Sequence, residues 1–159
     1  MDSLWHPPNP GVLKMNVDGA FKPSSDKGSV AFICRDHKGY IVEGITKTIP
    51  ASSALQVEAQ ALCFALNHLI NSNRTSNPII IESDYLVLVE AVKDPHLSPW
   101  EVRPFLAEAT VLLPRLVKSR IRFCRRTANA APDWAAKAHD NGLLKSSWAS
   151  FPRLLCTIF

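Results

Sequence analysis

Residues 12–70 read VLKMNVDGAFKPSSDKGSVAFICRDHKGYIVEGITKTIPASSALQVEAQALCFALNHLI, and a change of period within this stretch decides the fold. In VLKMNVDGAF, Leu13, Met15 and Val17 point one way while Lys14, Asn16 and Asp18 point the other, the period of a strand. A loop with Pro23, Ser24, Ser25 and Gly28 leads to a second strand, SVAFICRD. The tetrad Asp36-His37-Lys38-Gly39 is a tight-turn signal, and YIVEGITKTI follows as a third strand. Three sequential strands on short turns predict an antiparallel meander. From Ser53, a predicted N-cap, ALQVEAQALCFALNHLI places Leu55, Leu62, Leu66 and Leu69 on one stripe at helical spacing.

Beyond Asn77-Pro78, the run IIIE reads as a short strand buried on both faces. A helix is predicted from Ser83 or Asp84 through YLVLVEAV, ended by DPHLSP. EVRPFLAEATVLLPRLVK reads as another helix, with Pro104 in its first turn and Pro114 expected to kink or shorten it. RIRFCR is a fifth strand, and PDWAAKAHDNG a final helix stopped by Gly142. The order is α/β: a five-stranded mixed sheet, three antiparallel strands plus βαβ crossovers, with helices on both faces. Three prolines at 7, 8 and 10 make residues 1–11 an extended lead-in. One domain is expected over 12–142, with 143–159 as its packed C-terminal tail.

Among 159 residues, 47% are hydrophobic, enough for one soluble core. The net charge of +4 only mildly favours a polyanionic partner. Cys34, Cys63, Cys124 and Cys156 form no CxxC pair and read as reduced core residues. No secretory signal and no membrane-length apolar run are visible, so a cytoplasmic or nuclear location without membrane association is expected.

Four acids stand at strand ends or helix starts: Asp18, Glu58, Asp84 and Asp133. Taken singly, Asp18 suits a solvated strand end, Asp84 an N-cap beside Ser83, and Asp133 the first turn of a helix, where its charge meets the dipole. Glu58 is harder to explain, because it lies on the apolar stripe, where an ionised carboxylate is costly unless paired or metal-bound. Two carboxylates about 4 Å apart repel by roughly 4 kcal/mol at an effective dielectric of 20. A cluster of four would need protons or cations. Spacing alone does not bring them together.

The chain resembles ribonuclease H, specifically the plant domain of retroelement-derived and stand-alone ribonuclease H-like proteins. The resemblance is carried by WHPPNPGVLKMNVDGAF, QVEAQALCFAL, IIIESDYLVLVEAV and the spacing from Asn129 to Asp133 and on to Lys137. It implies a ribonuclease H-like fold and a metal-dependent endonuclease that hydrolyses the RNA strand of RNA–DNA hybrids. Asp18, Glu58, Asp84 and Asp133 would be the catalytic carboxylates holding two Mg2+ ions, with Mn2+ as an expected substitute. Asn16, Gly19, Arg126 and Asn129 would contact the nucleic acid.

The alternative is a catalytically inactive relative that binds hybrid or RNA, or serves as a protein-interaction module. Bacterial relatives place a histidine before the last aspartate. Here residues 120–132 contain none, and Arg125-Arg126 stands there instead. The basic protrusion of some bacterial enzymes is also missing, since 94–104 offers Arg103 as its only arginine or lysine. Pro132 is expected to shift the final helix and Asp133. Of the histidines, His139 alone lies near the implied site, and Trp134 reads as core.

Overall fold

β1 (Leu13–Lys22) realises the predicted alternation, and what covers its two faces organises the molecule. The structure, a computed structural model, describes residues 3–144. β1 pairs antiparallel with β2 (Lys27–Arg35), and β2 antiparallel with β3 (Ile41–Pro50), completing the meander. β4 (Ile79–Ser83) lies parallel to β1 on its other side, and β5 (Arg120–Phe123) parallel to β4. The spatial order is β3-β2-β1-β4-β5, the expected five-stranded mixed sheet.

Ser53 caps α1 (Ala54–Asn71), its hydroxyl accepting from the Gln56 N–H as the sequence predicts. The α1 stripe of Leu55, Leu62, Leu66 and Leu69 packs on Leu13, Met15, Val17 and Phe32, joined by α2 (Leu86–Lys93) and α3 (Arg103–Leu112). The opposite face is closed by α4 (Ala130–Asp140), whose Ala131, Ala135 and Ala136 pack on Ala31 and Ile33. Trp134 is partly buried against this second cluster.

Several boundaries differ from expectation for identifiable reasons. The helix read through Pro114 stops at Leu112, and Pro114 sits in a 3-10 turn, because a proline beyond the first turn removes a ladder donor. α4 starts at Ala130, so Pro132 lies in the first turn, where its missing N–H costs no bond. α2 starts at Leu86 with Tyr85 as an N-cap residue lacking a side-chain bond; the expected Ser83-Asp84 cap is not made. The strand end at Asp18 is not solvated either: Lys14, Asn16 and Asp18 are all buried.

Cys34, Cys63 and Cys124 are buried free thiols, as expected. No helix among the described residues is long and apolar enough to cross a membrane. The tail expected over 143–159 lies outside the described residues from 145 onward.

Candidate metal centre

β4 accompanies β1 only as far as the pairing of Val17 with Ser83. Beyond that point the flank of β1 opens, Asp18 follows at once on one strand and Asp84 on the other. α1 approaches this opening closely because residue 19 is glycine. A Cβ there would stand 2.5 Å from Val57 Cγ1 and 3.2 Å from the Val57 carbonyl carbon. The absent side chain at Gly19 therefore lets Glu58 approach Asp18, and the nearby Gly19 N–H works against the rise in pKa of both carboxylates.

Asp18, Glu58 and Asp84 each offer an oxygen within 4.8 Å of the others. Asp133, on the first turn of α4, comes near enough to Asp18 for its charge to raise the Asp18 pKa. It stands outside the tight group of three, and its Oδ2 accepts from Lys137 Nζ at 2.8 Å. The four acids singled out in the sequence thus converge from β1, α1, the end of β4 and α4. Three are packed together and the fourth stands at the rim.

Their electrostatics follow from crowding in a dry place. Asp18 and Glu58 are each only 5% exposed. Burial, then the charges of Asp84 and Asp133, raise the Asp18 pKa to about 8. Burial, then the charges of Asp18 and Asp84, raise that of Glu58 to about 10. Asp84 is raised mainly by burial, opposed by Arg126 and by the Asn129 side chain. No donor reaches Asp18 Oδ2 or Glu58 Oε2. Buried carboxylate oxygens are rarely left so, since the missing bond costs about 1–3 kcal/mol or more. Hard oxygen donors, unpartnered and crowded, are the chemistry that a divalent cation satisfies. The donor set therefore fits the expected metal.

The four residues expected to touch nucleic acid are placed very differently. Arg126 is exposed, with its Nε 3.9 Å from Asp84 Oδ2. Gly19 is half-buried, and its visible work is the approach of α1. Asn16 and Asn129 are fully buried with 0% exposure, so as they stand neither presents an atom to a ligand. Their amides instead hold the site from beneath. Asn129 donates to the Val17 carbonyl at 2.9 Å and to Asp84 Oδ1 at 3.3 Å, and accepts from Asn16 at 3.1 Å. That use of Asp84 explains why it does not cap α2.

Sequence reasoning missed a buried ionic group next to this network. Glu82 accepts from Arg122 and Asn16 and lies 3.4 Å from Lys14 Nζ. Its presence at the end of a strand read as wholly apolar was the available signal. His139 lies between the hydroxyls of Thr46 and Thr48, each 3.0 Å from a ring nitrogen.

A family-level sequence profile described as "Reverse transcriptase-like" matches residues 16–139. RNase H1 from the halophilic archaeon Halobacterium salinarum superposes with a TM-score of 0.73 at 21% identity, covering 82% of this chain and 98% of that one. The N-terminal RNase H domain of a Mycobacterium tuberculosis protein gives a TM-score of 0.71 at 12% identity, covering 83% and 95%. LC11-RNase H1 in complex with an RNA/DNA hybrid gives 0.70 at 15% identity, covering 83% and 99%. At such identities these likenesses establish the fold. No curated protein sequence gives a significant match.

Proposed function

The chain belongs to the reverse transcriptase-like family and has the ribonuclease H fold, and from that premise we propose that it is a metal-dependent endonuclease hydrolysing the RNA strand of RNA–DNA hybrids. The observation that carries this reading is the trio of Asp18, Glu58 and Asp84 oxygens within 4.8 Å, two of them on buried carboxylates with a donor-less oxygen.

In this reading Asp18, Glu58, Asp84 and Asp133 would hold two Mg2+ ions, with Mn2+ as a substitute. Asp18, in the middle, would be shared. Asp133 would serve the side where water attacks, and Glu58 and Asp84 the side of the leaving 3′ oxygen. The ions, when bound, supply Lewis acidity to a water and to the phosphodiester. The chain's own residues do the rest. Gly19 keeps Glu58 within reach, Asn129 orients Asp84, and burial excludes bulk water from the inner oxygens. The exposed Arg126 guanidinium is placed to meet a phosphate beside Asp84. The 2′-hydroxyls of the RNA strand, exposed in a wide minor groove, would provide the discrimination against DNA. Cleavage would leave a 5′ phosphate and a 3′ hydroxyl.

One observation favours a second reading, a nuclease-dead relative that binds hybrid without cutting it. Lys137 Nζ stands 2.8 Å from Asp133 Oδ2, an i,i+4 partner on a carboxylate that the first reading assigns to a metal. Incubating hybrid, double-stranded RNA and double-stranded DNA with Mg2+ or Mn2+ separates the two. Cleavage confined to the hybrid's RNA strand, lost in Asp84→Asn, supports the enzyme. Binding without cleavage across both metals supports the relative.

A further inference from the structure

Trp5, Lys14 and Asn16 take no part in the chemistry just described, yet the half-buried indole meets the two buried side chains in one cluster beneath Asp84. Asn16 uses its entire hydrogen-bonding capacity. Its Oδ1 accepts from Trp5 Nε1 at 3.0 Å and from an Arg35 terminal nitrogen at 3.2 Å. Its Nδ2 donates to Glu82 Oε2 at 3.0 Å and to Asn129 Oδ1 at 3.1 Å. An indole N–H and a guanidinium can only donate, and a carboxylate can only accept. The amide therefore has one allowed orientation, since turning it over would set its NH2 against two donors and its oxygen against Glu82.

The constraint propagates. Because Asn16 presents its NH2, Asn129 must answer with its oxygen, which leaves the Asn129 NH2 to the Val17 carbonyl and to Asp84 Oδ1. The direction of the donor that Asp84 receives is thus set two side chains away, by Trp5, Arg35 and Glu82 together. Trp5 is itself held in place: the Arg35 guanidinium carbon stands 3.7 Å from its ring centroid, and Lys14 Nζ stands 5.5 Å away. The segment bearing it is tied down by Lys14 Nζ on the His6 carbonyl at 2.6 Å and by Thr127 Oγ1 on the Ser3 carbonyl.

We propose that the N-terminal segment Ser3–Pro10 is a positioning element of the metal centre, in which Trp5 fixes the amide of Asn16, Asn16 that of Asn129, and Asn129 the carboxylate of Asp84. The proposal rests on the metal-centre reading for its consequence, but the relay exists in metal-free protein and is tested there. Trp5→Phe keeps an aromatic ring over Arg35 and deletes the donor. Replacing Trp5 by β-(3-benzothienyl)alanine, with sulfur in place of the indole N–H, keeps the shape as well.

The full chain is compared by side-chain amide NMR without metal and by calorimetric Mn2+ titration. Both variants are expected to move the Asn129 side-chain amide resonances and to weaken Mn2+ binding by about tenfold, the scale seen when a partner orienting a metal ligand is lost. The isosteric variant should do so at an unchanged melting temperature, which a merely structural role of Trp5 would not produce. If Trp5→Phe does not fold, the isosteric variant decides alone. Unmoved Asn129 resonances in it overturn the relay, whatever the Mn2+ affinity. Wild-type protein that binds no Mn2+ while the resonances do move would defeat the metal-centre reading and leave the relay standing.

Discussion

At the scale of single residues, Asp18 is the strained one, because its charge is opposed by burial and by two neighbouring carboxylates. The sign of its effect on stability follows. An unfolded aspartate titrates at about 3.9, whereas in the fold Asp18 is raised to about 8. Between those values the folded state binds more protons than the unfolded state, so stability falls as pH rises through that window. Without metal, the melting temperature should therefore decline from pH 5 to pH 8 in thermal scans with EDTA, and Asp18→Asn should flatten that decline. At pH 8 the variant should be at least as stable as wild type. A steeper decline in Asp18→Asn would show that the charge at this position stabilises the fold. Glu82 is also buried, but it is ion-paired with Lys14 and Arg122. Glu82→Ala leaves Lys14 buried beside two other cations, Arg35 and Arg122, and should cost about 3–5 kcal/mol in denaturant melts.

At the scale of elements, the fit of α1 on β1 decides whether a site exists. With no side chain at Gly19, Val57 can sit where a Cβ would clash at 2.5 Å. Gly19→Ala should destabilise by about 1–3 kcal/mol through overpacking. It should also weaken the metal-induced rise in melting temperature, because Glu58 rides on the same helix turn as Val57. A stability loss with an intact metal response would mean that Glu58 is not held by this contact.

The period change at Ser53 and the alternation of 13–18 made these elements and their order legible in the sequence. Glu58 was legible because an acid on the apolar stripe breaks the helical pattern. Asp84 and Asp133 were not legible from local pattern and were named only through the resemblance, and the burial of the polar side of β1 was not legible at all. A local cap or a solvated strand end explains each acid equally well until α4 and the lead-in are seen to cover that face. Asn16 and Asn129 were expected to contact nucleic acid, and their burial was not legible for the same reason: the long-range bonds that bury them join β1 to the start of α4, and no local pattern encodes such a pairing.

At the scale of the whole molecule, the sheet order β3-β2-β1-β4-β5 puts β1 between an antiparallel and a parallel neighbour, and the carboxylates gather where β4 leaves it. Anything that neutralises the cluster in the folded state alone should stabilise the protein by mass action. Mg2+ or Mn2+ should raise the melting temperature of wild type and leave Asp18→Asn unmoved; an equal rise in both would place the ion elsewhere. Arg126→Ala should weaken hybrid binding and flatten its dependence on salt, as loss of a phosphate contact does.

The most direct measurement is single-turnover incubation of an end-labelled RNA–DNA hybrid with wild type and Asp18→Asn, each in Mg2+ and in EDTA. Removing a shared ligand disables the whole unit. Wild type should therefore cut the RNA strand to 5′-phosphate fragments in Mg2+ alone, while Asp18→Asn leaves it intact. Hybrid that is bound yet uncut by wild type in Mg2+, or cut equally by the variant, would contradict a metal-dependent nuclease built on these carboxylates.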